Sequence, residues 1–145
     1  MKLLVQRVSK ASVEVQAEKI ASINKGVLVF VGFDRDDNYQ KLKSLTDKLL
    51  NYKIFNDSKG KVSMSLIETN NDVLIVPQVT LSVGTKKGNK PSFSRAAGPE
   101  AGNQLFDDFQ KLIEEKYKKP ALGIFGADMS VSLVNEGPIT FWFES

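Results

Sequence analysis

The sequence predicts a mixed α/β fold in which helices pack on β-sheets. Two observations lead to this prediction: short apolar runs of strand length lie between turn signals, and two longer segments repeat apolar residues at helical spacing. In chain order they predict three strands, a helix, a strand, a second helix and two final strands. The chain has 145 residues and is 41% hydrophobic, which fits one substantial core. We therefore expect a single domain that spans residues 1–145.

Three strands are predicted near the start of the chain, at residues 3–8, 12–15 and 27–33. Their residues are mostly β-branched or otherwise apolar. The third strand is apolar throughout residues 27–31, which is typical of a strand that is buried on both faces. Lys25-Gly26 is expected to form the turn before it.

A first helix is predicted to begin after Asp36 or Asp37, either of which can cap it, and to run to about residue 53. Its leucines recur at helical spacing and are expected to form one buried face. They are Leu42, Leu45, Leu49 and Leu50. Residues 56–60 read Asn-Asp-Ser-Lys-Gly, a composition typical of a turn.

The strand predicted at residues 73–81 contains an anomaly at Pro77. Proline has no N–H to donate, so it does not belong inside a central strand. Spacing alone favours the interpretation that this strand lies at a sheet edge. The alternative is that the break at Pro77 and Gln78 exposes backbone groups for use.

A second helix is predicted to begin at Gly98-Pro99, because proline is well tolerated in the first helical turn. Pro120 prevents the helix from continuing. The apolar stripe of the helix is expected in the core. It consists of Leu105, Phe106, Phe109, Leu112 and Ile113.

The chain ends with two predicted strands, residues 129–134 and 139–143, which are joined at Gly137-Pro138. Proline fixes φ and glycine has no Cβ, so the pair makes a stiff backbone corner with little side chain. Such a corner is suited either to turning the chain or to pressing peptide groups against a small ligand. For an isolated Gly-Pro the plain turn is the more common outcome.

The composition excludes several familiar kinds of active site. The chain has no histidine and no cysteine. Ser-His-Asp and Cys-His catalytic groups, thiolate nucleophiles and Cys/His zinc sites are therefore ruled out. The lack of cysteine, and of an apolar segment long enough for a signal peptide or a membrane span, predicts a cytoplasmic protein with no membrane partner.

Basic residues are concentrated in one segment of the chain. Lys86, Lys87, Lys90 and Arg95 lie in or just after a loop that is punctuated by glycine and proline. The side chains and free N–H groups of such a loop can bind phosphates, and the net charge of +3 is compatible with a polyanionic partner. A solvated loop that merely carries lysines is an equally good interpretation of this segment.

Several motifs, taken together in this order and spacing, resemble the D-aminoacyl-tRNA deacylase family along the full chain. The motifs are Gln6-Arg7-Val8, Pro77-Gln78-Val79-Thr80-Leu81, Lys-Gly-Asn-Lys-Pro-Ser-Phe-Ser at residues 87–94, and residues 129–140, which end in Asn-Glu-Gly-Pro-Ile-Thr. The resemblance implies two packed β-sheets that form a barrel-like core with two main helices. It implies a homodimer with its active site at the subunit interface, and no cofactor or metal. It also implies hydrolysis of the ester between tRNA and a D-amino acid, or glycine mischarged on tRNA(Ala).

The resemblance also implies roles for individual residues. The family's Ser-Gln-Phe-Thr-Leu motif falls on residues 77–81, so Pro77, Gln78, Val79 and Thr80 are the expected catalytic segment. The family's Gly-Pro motif falls on Gly137-Pro138, whose peptide bond is expected to be cis and to exclude L side chains from the partner subunit's pocket. Arg7 matches an arginine that helps to hold this Gly-Pro in place.

Pro77 and Val79 depart from the family motif, which has serine and phenylalanine at these positions. Proline at the first position resembles a related branch, described from animals, that removes L-alanine from tRNA and has a trans Gly-Pro. Arg7 and the Asn-Glu-Gly-Pro-Ile-Thr sequence instead resemble the D-specific branch. D-selectivity is therefore the main expectation, and an activity like that of L-alanyl-tRNA deacylases is the alternative.

Without histidine, catalysis is expected to rely on placing a water molecule and stabilising an oxyanion. Thr80 is a nucleophile by residue type, but its motif contains no base to activate it. We expect an oxyanion hole from backbone N–H groups between Gln78 and Thr80, with the 2′-hydroxyl of the terminal adenosine assisting the water. Phe93 is a candidate to stack on the terminal adenine, although a core role is equally possible. A non-catalytic nucleic-acid-binding protein that uses residues 86–95 is the alternative from another class.

Overall fold

The computed structural model describes residues 1–86 and 88–145, and it has the predicted mixed α/β fold. The described residues form a six-stranded sheet, a two-stranded sheet and three α-helices. The strands are β1 (Lys2–Val15), β2 (Glu18–Ile23), β3 (Gly26–Gly32), β4 (Phe55–Asn56), β5 (Val62–Met64), β6 (Asp72–Pro77), β7 (Ala121–Leu122) and β8 (Ser130–Glu144). The α-helices are α1 (Tyr39–Asn51), α2 (Leu66–Thr69) and α3 (Pro99–Lys116). Two 3-10 turns, Val79–Ser82 and Phe93–Arg95, lie between β6 and α3.

The large sheet is built around β1, which pairs with β2, β3 and β8, in each case antiparallel. The order continues from β3 to β6 and from β6 to β7 through parallel pairs. The first half of β1 pairs with β3 and its second half pairs with β2, while β8 follows β1 along both halves. The second half folds back over the sheet, so that β2 contacts β6 and β7. The sheet thereby nearly closes into a barrel.

Two hydrophobic clusters lie on opposite faces of the large sheet. The larger cluster lies between the sheet and the helices, and it includes Leu3, Val29, Leu49 and Phe109. The smaller cluster lies inside the folded sheet. It consists of Val8, Ala11, Val13, Ile23, Leu28, Leu74 and Val76. Neighbouring residues such as Leu28 and Val29 belong to different clusters because successive side chains of a strand point to opposite faces.

Four predicted strands are in fact two long ones. Residues 3–8 and 12–15 both belong to β1, and residues 129–134 and 139–143 both belong to β8. The two long strands pair with each other, and shifts in their register on either side of Val8 accommodate Gly137-Pro138 without reversing the chain. Strand β2 was not predicted, because its residues are mostly exposed and show no apolar run.

Helix α1 begins later than predicted. Its N-cap is Asn38, whose side chain accepts a hydrogen bond from the backbone N–H of Lys41 at 3.1 Å. Asp37, one of the two predicted caps, instead accepts from the backbone N–H of Asp34 at 2.7 Å. Helix α3 begins at Pro99 with Gly98 as its N-cap, as predicted. Among the described residues, no helix combines the length and the hydrophobicity that a membrane crossing requires.

Strand β6 is not an edge strand, because it lies between β3 and β7. Pro77 is the last residue of β6, and the chain leaves the sheet there to form the 3-10 turn Val79–Ser82. The predicted extension of the strand to residue 81 is therefore wrong. Proline is compatible with a central strand here because its missing N–H lies where the ladder ends.

Candidate active site

An open cleft of about 710 Å³ lies at the carboxyl end of β6. It is lined by residues 77–79, 96–99 and 125–129, together with Phe93. The structure thus brings together four predicted site residues, Pro77, Gln78, Val79 and Phe93. Segments far apart in the sequence form the rest of the wall.

The 3-10 turn Val79–Ser82 carries two free backbone donors beside this cleft. The N–H of Gln78 donates to the carbonyl of Val31 at 2.7 Å, and the N–H of Leu81 donates to the carbonyl of Gln78 at 3.2 Å. The N–H groups of Val79 and Thr80 have no acceptor within residues 1–86 and 88–145, as is usual for the first donors of a helical turn. The expected set of donors is therefore reduced to two, since Gln78 is engaged in the fold.

The Thr80 hydroxyl contacts an amide and not a base. Gln78 Nε2 donates to Thr80 Oγ1 at 2.9 Å. No other side chain of the described residues forms a hydrogen bond with this hydroxyl. Since an amide cannot take up a proton, the geometry gives Thr80 no means of activation as a nucleophile.

Gly137-Pro138 lies in a bulge of β8. Thr140 pairs with Gln6 and Asn135 pairs with Val8, so residues 136–139 are opposite Arg7 alone. The Gly137-Pro138 peptide bond is cis, as the resemblance implies, and both residues are exposed. Of the two interpretations of this corner, the one in which it turns the chain is therefore wrong, because the corner is an exposed projection within a continuous strand.

Asn135 closes the base of this bulge. Its Nδ2 donates to the carbonyls of Arg7 at 3.0 Å and Ile139 at 3.1 Å. No role was predicted for Asn135, because these bonds link residues that are up to 128 positions apart. The feature of the sequence that could have indicated a role for Asn135 is its position directly before Glu136-Gly137-Pro138.

Arg7 lies buried under the same bulge, with 8% of its surface exposed. Its Nη1 donates to the carbonyl of Ile54 at 2.8 Å and to Asn56 Oδ1 at 3.0 Å. Its Nε lies 3.5 Å from Glu136 Oε2, an ion pair with the residue directly before Gly137. Arg7 therefore joins the bulge to the small β4–β5 sheet.

The cleft and the bulge are separate surfaces of one chain. Neither Gly137 nor Pro138 lines the cleft. The residues predicted for catalysis and those predicted for selectivity are thus not brought together within a single subunit.

The basic loop adjoins the cleft. Gly84 and Ser92 close its base by exchanging backbone hydrogen bonds of 2.8 and 3.1 Å. Lys86, Lys90 and Arg95 are exposed, whereas Lys87 lies outside the described residues. Phe93 is 52% exposed and lines the cleft, so the alternative that it belongs to the core is wrong.

Phe125 and Met129 line the cleft, although neither was predicted to be a site residue. Phe125 is followed by Gly126, which has a φ of +77°. The sequence feature that could have identified Phe125 is the Phe-Gly pair. It lies in a segment that has neither helical nor strand periodicity.

Asp34, Asp36 and Asp37 form the group with metal-ligand spacing in the described residues, and they do not line the cleft. Lys2 Nζ contacts both carboxylate oxygens of Asp34, at 2.7 and 2.6 Å. Burial raises the pKa of the Asp34 carboxyl, but its hydrogen bond with Lys2 contributes to a net pKa below the ordinary value. Lys41 pairs with Asp36 at 3.0 Å, so ammonium groups already balance this cluster.

Comparisons with known proteins agree with the resemblance found in the sequence. The family model described as D-Tyr-tRNA(Tyr) deacylase matches residues 4–144. A D-aminoacyl-tRNA deacylase of Francisella tularensis subsp. tularensis (strain WY96-3418) is 45% identical over 141 residues, which cover 97% of each chain. A D-aminoacyl-tRNA deacylase of Teredinibacter turnerae (strain ATCC 39867 / T7901) is 44% identical over 145 residues, which cover 100% of each chain.

Two solved structures share the fold. One, described as c-Myc DNA Unwinding Element Binding Protein, is 36% identical with a TM-score of 0.96, over 100% of this chain and 99% of that chain. The other, described as a probable eukaryotic D-amino acid tRNA deacylase, is 23% identical with a TM-score of 0.81, over 98% of this chain and 97% of that chain. At that identity the second structure supports the fold alone. From the family model and the relatives, the chain belongs to the D-Tyr-tRNA(Tyr) deacylase family of ester-bond hydrolases.

Proposed function

We propose that this enzyme hydrolyses the ester bond of D-aminoacyl-tRNA in the cytoplasm. It also accepts glycine mischarged on tRNA(Ala), and it rejects L-aminoacyl-tRNA. The observation that carries the proposal is the pair of free N–H groups, at Val79 and Thr80, beside an open cleft in a chain that belongs to an ester hydrolase family. Such donors stabilise the charge that develops on an ester oxygen.

In the proposed reaction, a water molecule attacks the ester carbonyl carbon. The carbonyl oxygen becomes an oxyanion that accepts hydrogen bonds from the N–H groups of Val79 and Thr80. Removing one such donor typically costs about 2.7–4 kcal/mol of barrier. The bond to the ribose 3′-oxygen then breaks, and that oxygen takes up a proton. The 2′-hydroxyl of the terminal adenosine assists the proton transfers, because the Thr80 hydroxyl bonds to the Gln78 amide and to no basic side chain of the described residues.

We further propose a homodimer in which the bulge of one subunit enters the cleft of the other. Gly137 and Pro138 are exposed but do not line the cleft of their own chain. Asn135 and Arg7 hold the bulge by hydrogen bonds and an ion pair, which suits a rigid wall. A wall of backbone excludes an L side chain by contact, and it has no means of rejecting glycine, which has no side chain to exclude.

A sheet-face patch, formed by Leu4, Phe30 and Trp142, supports the dimer. Leu4 lies opposite both Phe30 and Trp142 in the strand register, so the three side chains share one face. Leu4 and Phe30 are half-buried, and Phe30 packs in part against the smaller hydrophobic cluster, whereas Trp142 is 48% exposed. A solvent-facing side of an antiparallel sheet is normally polar, so this apolar patch is expected to be covered by a second copy. Thr140, which bonds to Gln6 at 3.2 Å, connects the patch to the bulge.

Replacing Trp142 with glutamate should weaken the dimer by about 30-fold or more, as expected for a central aromatic residue of an interface. Deacylation at low protein concentration should fall in parallel, because the proposed site needs both subunits. Analytical ultracentrifugation and activity across a dilution series measure both effects. Tyr39→Glu is the matched control, since Tyr39 is 58% exposed and lies at the start of α1, outside the patch. A dimer of unchanged strength in Trp142→Glu would contradict this assignment of the interface.

Deacylation of D-Tyr-tRNA, L-Tyr-tRNA, glycyl-tRNA(Ala) and L-Ala-tRNA by the purified protein tests the proposed function. We expect hydrolysis of the D-tyrosyl and glycyl substrates and no acceleration with the two L substrates. Rapid hydrolysis of L-Ala-tRNA would favour the L-alanyl alternative, which Pro77 raised. Failure with all four substrates would overturn the proposal.

Replacing Lys86, Lys87 and Lys90 together with alanine should raise KM for charged tRNA and leave kcat nearly unchanged. Each lost phosphate contact should also reduce the slope of log KM against log salt by about 0.7–0.9, through counterion release. A triple variant at Lys25, Lys111 and Lys119, which are exposed outside this loop, is the charge-matched control. If KM for charged tRNA and its salt slope were the same in the loop variant as in the control variant, the lysines of the loop would not contact tRNA.

A second candidate function is nucleic-acid binding without chemistry. One observation favours it: a solved structure that is 36% identical is described as a DNA-element-binding protein. The exposed basic loop would serve this function too. Binding of uncharged tRNA or DNA, combined with no hydrolysis of any charged tRNA, would select it over the deacylase.

A further inference from the structure

The 3-10 turn that carries the two free donors packs directly on Gly32, the last residue of β3. A Cβ placed on Gly32 would lie 2.8 Å from Leu81 Cβ, 3.0 Å from the carbonyl oxygen of Gln78 and 3.0 Å from Ser82 Oγ. All three atoms belong to the turn or to the residue that caps it. The contact at 2.8 Å is shorter than real Cβ atoms show, and the two at 3.0 Å are unusually short, so a side chain at this position would shift the turn.

The turn has little room to adjust on its buried side. Ser82 is 1% exposed, and the N–H of Gln78 is bonded to the carbonyl of Val31, the residue before Gly32. Lys2 lies opposite Gly32 in the register of β1 and β3, and it is held by the buried carboxylate of Asp34. The open side of the turn is the cleft side, where Val79 is 50% exposed. A displaced turn would therefore move toward the cleft.

We infer that Gly32 is a positioning residue for catalysis: the absence of its side chain seats the turn so that the N–H groups of Val79 and Thr80 reach the oxyanion. This inference rests on the proposed function. Oxyanion donors act at 2.7–3.1 Å from the developing charge, and a misplacement of about 1 Å can cost about 100-fold in rate. Gly32 does not line the cleft, so its effect is transmitted through the turn.

Gly32→Ala should lower kcat for D-Tyr-tRNA by roughly 10- to 100-fold, with KM changed less than about threefold. Gly26→Ala is the matched control on the same strand. A Cβ on Gly26 would overlap the backbone carbonyl of Asp72, at the end of β3 far from the cleft. Gly26→Ala should therefore lower Tm and leave kcat of the folded protein unchanged. A loss of kcat in Gly32→Ala, together with a loss of Tm but not of kcat in Gly26→Ala, would distinguish a positioning role from a loss of stability.

Backbone amide resonances supply a readout that does not depend on activity. In Gly32→Ala the NMR signals of the Val79 and Thr80 amides should shift, and in Gly26→Ala they should stay in place.

Ser82→Thr is the second variant if Gly32→Ala does not fold. It adds a methyl group to the residue of the turn that packs against Gly32, so it crowds the same contact. Wild-type kcat or unshifted Val79 and Thr80 signals in a folded variant of this contact would overturn the inference. Failure of the wild type to hydrolyse D-Tyr-tRNA would instead overturn the proposed function, while the resonance shifts still report on the packing of Gly32.

Discussion

Replacing Gly137 with alanine should reduce kcat/KM for D-Tyr-tRNA by roughly 100-fold, which corresponds to about 2.7 kcal/mol of transition-state stabilisation. Within its own subunit the added methyl group meets only Asn135 Oδ1, at 3.7 Å, which is an ordinary contact. The fold and the bulge should therefore survive. In the proposed dimer the same methyl group would enter the space that the substrate needs in the partner subunit's cleft.

Single-turnover deacylation measures this loss, and thermal unfolding with sedimentation checks that the variant is folded and dimeric. Gly84→Ala is a closely matched control, because a Cβ on Gly84 also finds its nearest neighbour, Ser92 Cβ, at 3.7 Å. Gly84→Ala should change kcat/KM by less than about threefold. Activity of Gly137→Ala within threefold of the wild type would show that the bulge does not contact the substrate.

A D-Tyr-tRNA that ends in 2′-deoxyadenosine should be hydrolysed at least about 100-fold more slowly than the ribose substrate, the usual contribution of a positioned proton-transfer group. The chain has no histidine, and the Thr80 hydroxyl is bonded to the Gln78 amide. In the proposed mechanism the 2′-hydroxyl therefore assists the water. The rate of spontaneous hydrolysis of each substrate, measured without enzyme, is the necessary reference.

Thr80→Ala tests the same mechanism from the side of the protein. The substitution removes the hydroxyl but keeps the backbone N–H, so kcat should fall by less than about tenfold. Removal of an oxyanion donor would instead lower kcat by about 100-fold or more. Rapid quenching followed by mass spectrometry of the protein would detect an acyl group on Thr80. Detection of that species, or full activity on the 2′-deoxy substrate, would contradict the mechanism.

Local patterns in the sequence were sufficient for those elements whose stability is local. Gly98-Pro99 marked the start of α3 because an N-cap and a first helical residue act within one turn of the chain. The start of α1 was misplaced because Asp36, Asp37 and Asn38 are all acceptable caps by residue type. Asp37 accepts a hydrogen bond from Asp34 in the fold, which leaves the cap to Asn38.

The sequence alone determined which chemistry is absent, through its lack of histidine and cysteine, and which motifs are present at residues 77–81 and 135–140. The tertiary structure decided which of these groups are free to act. The N–H of Gln78 is engaged by the carbonyl of Val31, whereas those of Val79 and Thr80 have no acceptor in the part of the chain that the structure describes. Their turn packs against Gly32 at distances that leave no room for a Cβ. The bulge likewise depends on Asn135 and Arg7, which are 128 positions apart. Residue type and spacing describe neighbours along the chain, whereas these contacts form only when distant strands come into register.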